Sequence, residues 1–156
     1  MPLFPTQTQD SLYLSMSDKS ELLSRSSPHS IKLDDKEWPS VEHYFQAMQF
    51  ESVSYQEKIR LAKTVEQAIK LGKSWFKKKR PDLKQVRTTL MTRAIYIKCK
   101  TYPEVLTRLL EINEKKIVEN SQFDYYWGCG RDHRGENHFG KVLINVRNKL
   151  ISEEPT

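Results

Sequence analysis

The apolar residues of this chain recur at helical spacing in one segment after another, and that recurrence restricts the fold more than any other feature. Phe139, Val142, Leu143, Val146 and Leu150 share one helix face, as do Val41, Tyr44, Phe45 and Met48. Val86, Leu90, Ala94 and Ile97 form a third stripe, and Val105, Leu106, Leu109 and Leu110 a fourth. Stripes of this kind are stable only when packed on a partner, so the pattern predicts helices folded on one another. Ser40 reads as an N-cap for the helix beginning at Val41. Ser54 with Glu57, and Thr64 with Gln67, have capping-box spacing, and Gly72 is placed to end the second of these helices in a left-handed C′ conformation. Asp82 and Gln85 open a longer helix reaching about Lys100, Pro103 starts another, and the last runs from Asn137 or Phe139 to Leu150. Strand signals are few: the alternation from His29 to Leu33 before the Asp34-Asp35-Lys36 turn, and Lys116 to Glu119.

The expected fold class is therefore α+β: a predominantly helical, compact single domain with small β elements. An apolar content of 37% in 156 residues suffices for one core. The domain is assigned to 13–152, preceded by a loosely held, flexible arm over 1–12 with Pro2 and Pro5. No uncharged stretch approaches the ~20 apolar residues of a membrane span, so no membrane partner is expected. The opening MPLFPTQTQDSLYL has neither the basic nor the apolar region of a signal peptide, which predicts a cytoplasmic product. Two cysteines, Cys99 and Cys129, are too few for a disulfide scaffold.

Charge is unevenly distributed. Residues 73–100 hold ten basic side chains and one acid, Asp82, whereas the rest of the chain has a small acidic excess. This sector should attract phosphate-bearing partners, either small molecules or nucleic acid. Within it, Lys77-Lys78-Lys79-Arg80 follows Trp75-Phe76, a pattern suited to gripping a polynucleotide with an aromatic for stacking, or to rimming a pocket.

Three segments, 23–30, 72–82 and 120–138, are longer than ordinary connections and hold the unusual residues. In Phe123-Asp124-Tyr125-Tyr126-Trp127-Gly128-Cys129-Gly130, aromatics sit beside glycines that let a ligand approach the backbone, the makings of a heterocycle pocket or of a packed loop around a core Trp. Asp124 is a candidate for orienting a ribose hydroxyl or a water. Glu42, in the first turn of its helix, either complements the helix dipole or serves as a partly buried general base. His43 beside it reads as a structural hydrogen-bonding or solvent-facing residue, with catalysis or substrate binding as the alternative. If Asn137 caps the last helix, the first-turn amides with Arg131 or Arg134 form a phosphate seat; the alternative is a solvated loop with a routine Asn cap. Cys129, His133 and His138 match no common zinc spacing and lack a fourth ligand, so no metal is assigned.

With those residues in view, the chain resembles the YbiA/NADAR family, also called the DUF1768 family, from about Ser24 to Leu150. The resemblance is carried by Ile31 to Ala47, with its Glu42-His43-Tyr44-Phe45-Gln46-Ala47 helix start, and by Asp124-Tyr125-Tyr126-Trp127-Gly128 followed by Asn137, Gly140 and Arg147, with Gly72 between the two blocks. It implies a compact helical fold and N-glycosidase activity. The substrate would be a phosphorylated ribosyl compound: a ribosylamino-pyrimidine phosphate of riboflavin synthesis, or an ADP-ribose derivative, including ADP-ribosylated nucleic acid. It also implies Glu42 as the catalytic carboxylate, with Asp124, Trp127 and Asn137 in the pocket. Five positions in four places depart from the family pattern. The Ser-Asn-Phe motif is Ser24-Arg25-Ser26, the lysine after Gln-Ala-x is Gln49, the Asp after Trp-Gly in the riboflavin-type bacterial member is Cys129, and a tryptophan before the long helix is Leu83.

The expected mechanism is hydrolysis at C1′ without metal or redox cofactor. Glu42 stabilises the oxocarbenium-like sugar and activates water, and Asp124 places the ribose or that water. Trp127 or Tyr126 stacks on the base beside Gly128, His43 lies close by, and Arg25, Arg131, Arg134 or Lys79 meets phosphate. On this reading Glu42→Gln keeps fold and ligand binding but loses turnover. The alternative is an inactive module that binds ADP-ribose or a nucleotide.

Overall fold

The computed structural model describes residues 11–112 and 115–154. Strand β1 (Ser11–Leu14) pairs in parallel with β4 (Lys116–Glu119), Leu12 opposite Ile117 and Leu14 opposite Glu119. Among the described residues, a hairpin and every helix but the last thus lie within the crossover between two short strands, and the last helix follows β4. The arm expected over 1–12 lies, as far as residue 10, outside the described residues; Ser11 and Leu12 already belong to β1.

Strands β2 (Ile31–Leu33) and β3 (Lys36–Trp38) form the antiparallel hairpin anticipated from their alternation. Asp34 and Asp35 both have positive φ, 54° and 61°, as a two-residue primed turn demands, and Asp is among the residues that tolerate it. Trp38 closes the hairpin by donating from its indole to Leu33 O at 3.1 Å. Helix α1 (Val41–Met48) follows at once, capped by Ser40, whose Oγ accepts from His43 N at 3.1 Å.

Two further short helices, α2 (Val53–Arg60) and α3 (Val65–Gly72), pack against α1. The cap of α2 is Ser52, accepting from Tyr55 N, rather than Ser54. Thr64 caps α3 as its spacing predicted. Gly72 is not a left-handed cap: it is the last residue of α3, and a Cβ there would lie 1.8 Å from Gln46 Oε1. Close approach of two helices, not a turn, requires that glycine.

The central helix α4 (Leu83–Thr101) contacts α1, β2, α5 (Pro103–Glu111) and α6 (His138–Glu153). Its buried face is Leu90, Met91, Ala94, Ile95, Lys98 and Cys99; Val86 and Ile97 lie at its edges, only partly covered. Asp82 does not cap α4 through its side chain, because its carboxylate is taken by Arg80. The core joins Trp38, Tyr44, Phe50, Met91, Ile95, Ile117, Phe139 and Leu143 into one cluster. The fold is the expected α+β type, predominantly helical. Among the described residues no helix is long and apolar enough to cross a membrane.

Candidate active site

The first turn of α1 is held from outside by the 24–27 loop. Arg25 O accepts from Glu42 N at 3.0 Å, satisfying an amide that the helix leaves free, while Arg25 N donates to Met16 O at 3.1 Å. Ser24 Oγ accepts from the amides of Ser26 and Ser27, which curls the loop. Beneath it the fully buried Lys98 donates from Nζ to Ser24 O at 2.8 Å and to Ser27 Oγ. Burial lowers the Lys98 pKa from 10.5 to about 8.

The two ends of this arrangement meet in a buried ion pair. Arg25 Nε donates to Glu42 Oε2 at 2.8 Å and Nη2 to Oε1 at 2.7 Å, with both side chains no more than 6% exposed. The guanidinium also lies 4.7 Å from the Phe45 ring centroid and 5.5 Å from that of Trp127, close enough for cation–π attraction. Gln46, one turn on from Glu42, donates Nε2 to Glu42 Oε1 at 2.7 Å, and its own Oε1 accepts from Gln49 Nε2 at 2.6 Å.

Glu42 opens onto a cavity of about 360 Å³. Asp124, Trp127, Arg25, Lys73 and Lys79 also line it, so the two carboxylates and the tryptophan singled out in the sequence share one hollow. Asp124 Oδ1 is used internally, accepting from the amides of Tyr126 and Trp127 at 3.0 and 2.7 Å. Its Oδ2 makes no hydrogen bond among the described residues and remains for a ligand. Because Arg25 is paired with Glu42, Lys73 and Lys79 outnumber Asp124 among the remaining charged lining groups, and the cavity favours an anion.

Other candidates lie elsewhere. His43 faces away from Glu42: Nε2 must donate to Ala62 O (3.0 Å), so Nδ1 accepts from Ser40 Oγ (2.8 Å), and burial lowers the imidazole pKa in keeping with this neutral form. Tyr126 is fixed by its hydroxyl to Thr88 Oγ1 at 2.6 Å and by the Arg87 guanidinium 3.2 Å from its ring centroid, and it does not line the cavity. Gly128 makes room for Glu119, not for a ligand; a Cβ there would lie 2.3 Å from Glu119 Oε2. Asn137, at φ 54°, turns its amide inward, Oδ1 accepting from Glu119 N and Nδ2 donating to Ile117 O, both at 2.9 Å. Asn137 is the N-cap residue of α6 by position, but its side chain supplies strand-like bonds to the free edge of β4 instead of a side-chain cap or a phosphate seat. Arg131 and Arg134 are exposed and off the cavity, Arg134 lying 3.8 Å from Asp132.

The basic sector is partly consumed by the fold: Lys98 is buried, Arg80 pairs with Asp82, and Arg93 with Asp34. Trp75 and Phe76 stack on each other at 3.9 Å and are largely exposed. Among the described residues no group of three His, Cys, Asp or Glu side chains is placed to hold a metal ion.

Sequence reasoning gave no role to Gln46, Gln49, Lys73 or Glu119. Gln46 and Gln49 are four and seven positions beyond Glu42, hence on its helix face, a signal available from spacing alone. Glu119 is fully buried and organises the 120–137 loop by accepting from Met16 N, Ser121 N and Ser121 Oγ. Nothing in its local sequence distinguishes it from a surface acid.

Comparison with known families identifies a NADAR domain in this chain. Residues 3–151 match that domain, and the chain belongs to the NADAR family. It is 37% identical over 127 residues to the N-glycosidase Npun_R5314 of Nostoc punctiforme, spanning 80% of this chain and 81% of that protein. It is 35% identical over 144 residues to the chloroplastic riboflavin biosynthesis protein PYRR of Zea mays, there covering 23% of the larger protein. The NMR structure of the Escherichia coli protein YbiA superimposes with a TM-score of 0.84 at 30% identity, covering all of this chain and 98% of that one.

Proposed function

We propose that the protein hydrolyses the N-glycosidic bond of a phosphorylated ribosyl compound, with a ribosylamino-pyrimidine phosphate or an ADP-ribose derivative as the substrate class. The observation that carries this reading is the single cavity shared by Glu42, Asp124 and Trp127, rimmed by Lys73 and Lys79. The relatives named as an N-glycosidase and as a riboflavin biosynthesis protein support the reaction and the riboflavin-type member of that substrate class.

The barrier lies in charge separation. As the nitrogen leaves, the sugar becomes oxocarbenium-like, and a carboxylate beside C1′ stabilises that charge best where water is excluded. Glu42 takes this place and orients the attacking water. Asp124 Oδ2 holds a ribose hydroxyl, Trp127 presents its ring to the base, and the two lysines meet phosphate. Water adds at C1′, the C1′–N electron pair stays on nitrogen, and the water proton ends on the leaving amine.

A binding module without turnover is the competing reading, favoured by the same ion pair, since Arg25 offsets the charge that Glu42 would bring to the sugar. Incubation with each substrate type, following free base and free sugar phosphate by chromatography, separates the two. Release from at least one substrate, abolished in Glu42→Gln, is expected. Saturable binding with no release from any of them would refute hydrolysis.

A further inference from the structure

We infer that Arg25 is a positioning residue for Glu42, and that it leaves one acceptor site of the carboxylate, on Oε2, open to the cavity. The inference rests on the reading of Glu42 as the carboxylate that meets the anomeric carbon.

A carboxylate offers about four lone-pair sites. Among the described residues three are filled: Oε1 accepts from Arg25 Nη2 and Gln46 Nε2, and Oε2 from Arg25 Nε. The direction of the Gln46 amide is itself fixed, because Gln49 donates to its Oε1. Any turn of the Glu42 carboxylate about its terminal bond moves both oxygens and would disturb all three bonds at once. Oε2 therefore faces its ligand in one orientation.

Arg25 can hold this geometry because it is constrained along its whole length. Its backbone bonds to Met16 O and to Glu42 N, Lys98 ties down Ser24 and Ser27 on either side, and Phe45 and Trp127 flank its guanidinium. The Nε–Nη2 edge, the one that would grip a phosphate as a fork, is spent on Glu42. Among the described residues the remaining nitrogen, Nη1, has only Met16 Sδ, at 3.7 Å. Phosphate recognition then falls to Lys73 and Lys79, and Arg25 acts through Glu42 instead of on the substrate.

The two roles differ in kinetics. Displacing a reacting group by about 1 Å can cost on the order of 100-fold in rate. Arg25→Gln and Arg25→Lys, the second keeping the charge and sparing the fold, should each lower kcat by about that factor. KM, and the affinity for ribose 5-phosphate measured by calorimetry, should change less than about threefold, since positioning is felt in the reacting state. A phosphate clamp would reverse the pattern. Loss of ribose 5-phosphate affinity by tenfold or more with kcat retained, or an unchanged kcat in both variants, overturns the inference.

A readout independent of turnover keeps this separate from the proposed reaction. The Arg25 Nε–H proton should exchange slowly with water in the NMR spectrum of the wild-type protein and quickly in Glu42→Gln. Fast exchange in the wild type sinks the positioning role. Absence of turnover on every substrate with slow exchange preserved sinks the hydrolase reading instead.

Discussion

Replacing Glu42 by Gln should destabilise the protein as well as silence it, and the Arg25–Glu42 pair sets the size of the effect. Both side chains are about 5% exposed, so Gln at this position leaves the guanidinium buried without a counter-charge. Removing one partner of a buried pair costs about 3–5 kcal/mol. Gln keeps one carbonyl acceptor for Nη2 but sets its amide NH2 against the Arg25 Nε donor, which places the loss near the lower end, about 3 kcal/mol. For a chain of this size that corresponds to a fall in Tm of about 6–12 °C. The double variant Arg25→Gln, Glu42→Gln has no stranded charge and should recover at least about 2 kcal/mol of that loss, a coupling readable from a double-mutant cycle. Thermal and urea unfolding followed by circular dichroism give both quantities. The double variant should be stable yet inactive. A Glu42→Gln protein as stable as the wild type, or additive effects of the two changes, would refute the argument from the buried pair.

Further tests address other parts of the site. Gly72→Ala forces Gln46 away from its place, because the new Cβ would sit 1.8 Å from Gln46 Oε1. The loss of its charged hydrogen bond to Glu42, about 1.5–3 kcal/mol, should lower kcat about 10- to 100-fold with the fold retained; unchanged kcat would exclude Gln46 from the network. Lys98 is lowered to about 8 from 10.5, so between those values the unfolded chain binds the extra proton and the Lys98 contribution to stability rises with pH, by up to about 3 kcal/mol. Cys99, raised by burial to about 11 from 9.0, acts in the opposite sense over its own window, stability falling as pH rises. Lys98→Met should therefore remove the rising component, seen as a smaller gain, or a larger loss, in urea midpoint between pH 7.5 and 9.5 than in the wild type; identical pH dependence would show that burial does not lower the Lys98 pKa. Asn137→Ala should cost about 2–4 kcal/mol through two lost buried hydrogen bonds and left-handed backbone strain, with ligand affinity retained in the folded protein. Weakened ligand binding at unchanged stability would return Asn137 to the pocket.

The sequence by itself determined most of the local elements, though not β1 or the ends of α2, α3 and α4, and marked the two ends of the candidate site. Helical spacing of apolar residues, the Ser40 and Thr64 caps, Pro103 and the Asp34-Asp35 turn are short-range signals, and each is found where the residues dictate. The pairing of Glu42 with the Asp124–Trp127 block was also legible, through the family motif. Only the tertiary structure decided what Arg25, Gly72, Lys98, Glu119 and Asn137 do. Each is defined by a partner far along the chain or on another element: Glu42 for Arg25, Gln46 for Gly72, Ser24 for Lys98, Met16 for Glu119 and Ile117 for Asn137. Arg25 and Gln49 read in the sequence as breaks in a motif. In the folded chain they belong to one hydrogen-bonded network around a single carboxylate. Hydrogen bonds and ion pairs act over a few ångströms whatever the sequence separation, whereas periodicity and capping report only on neighbours along the chain.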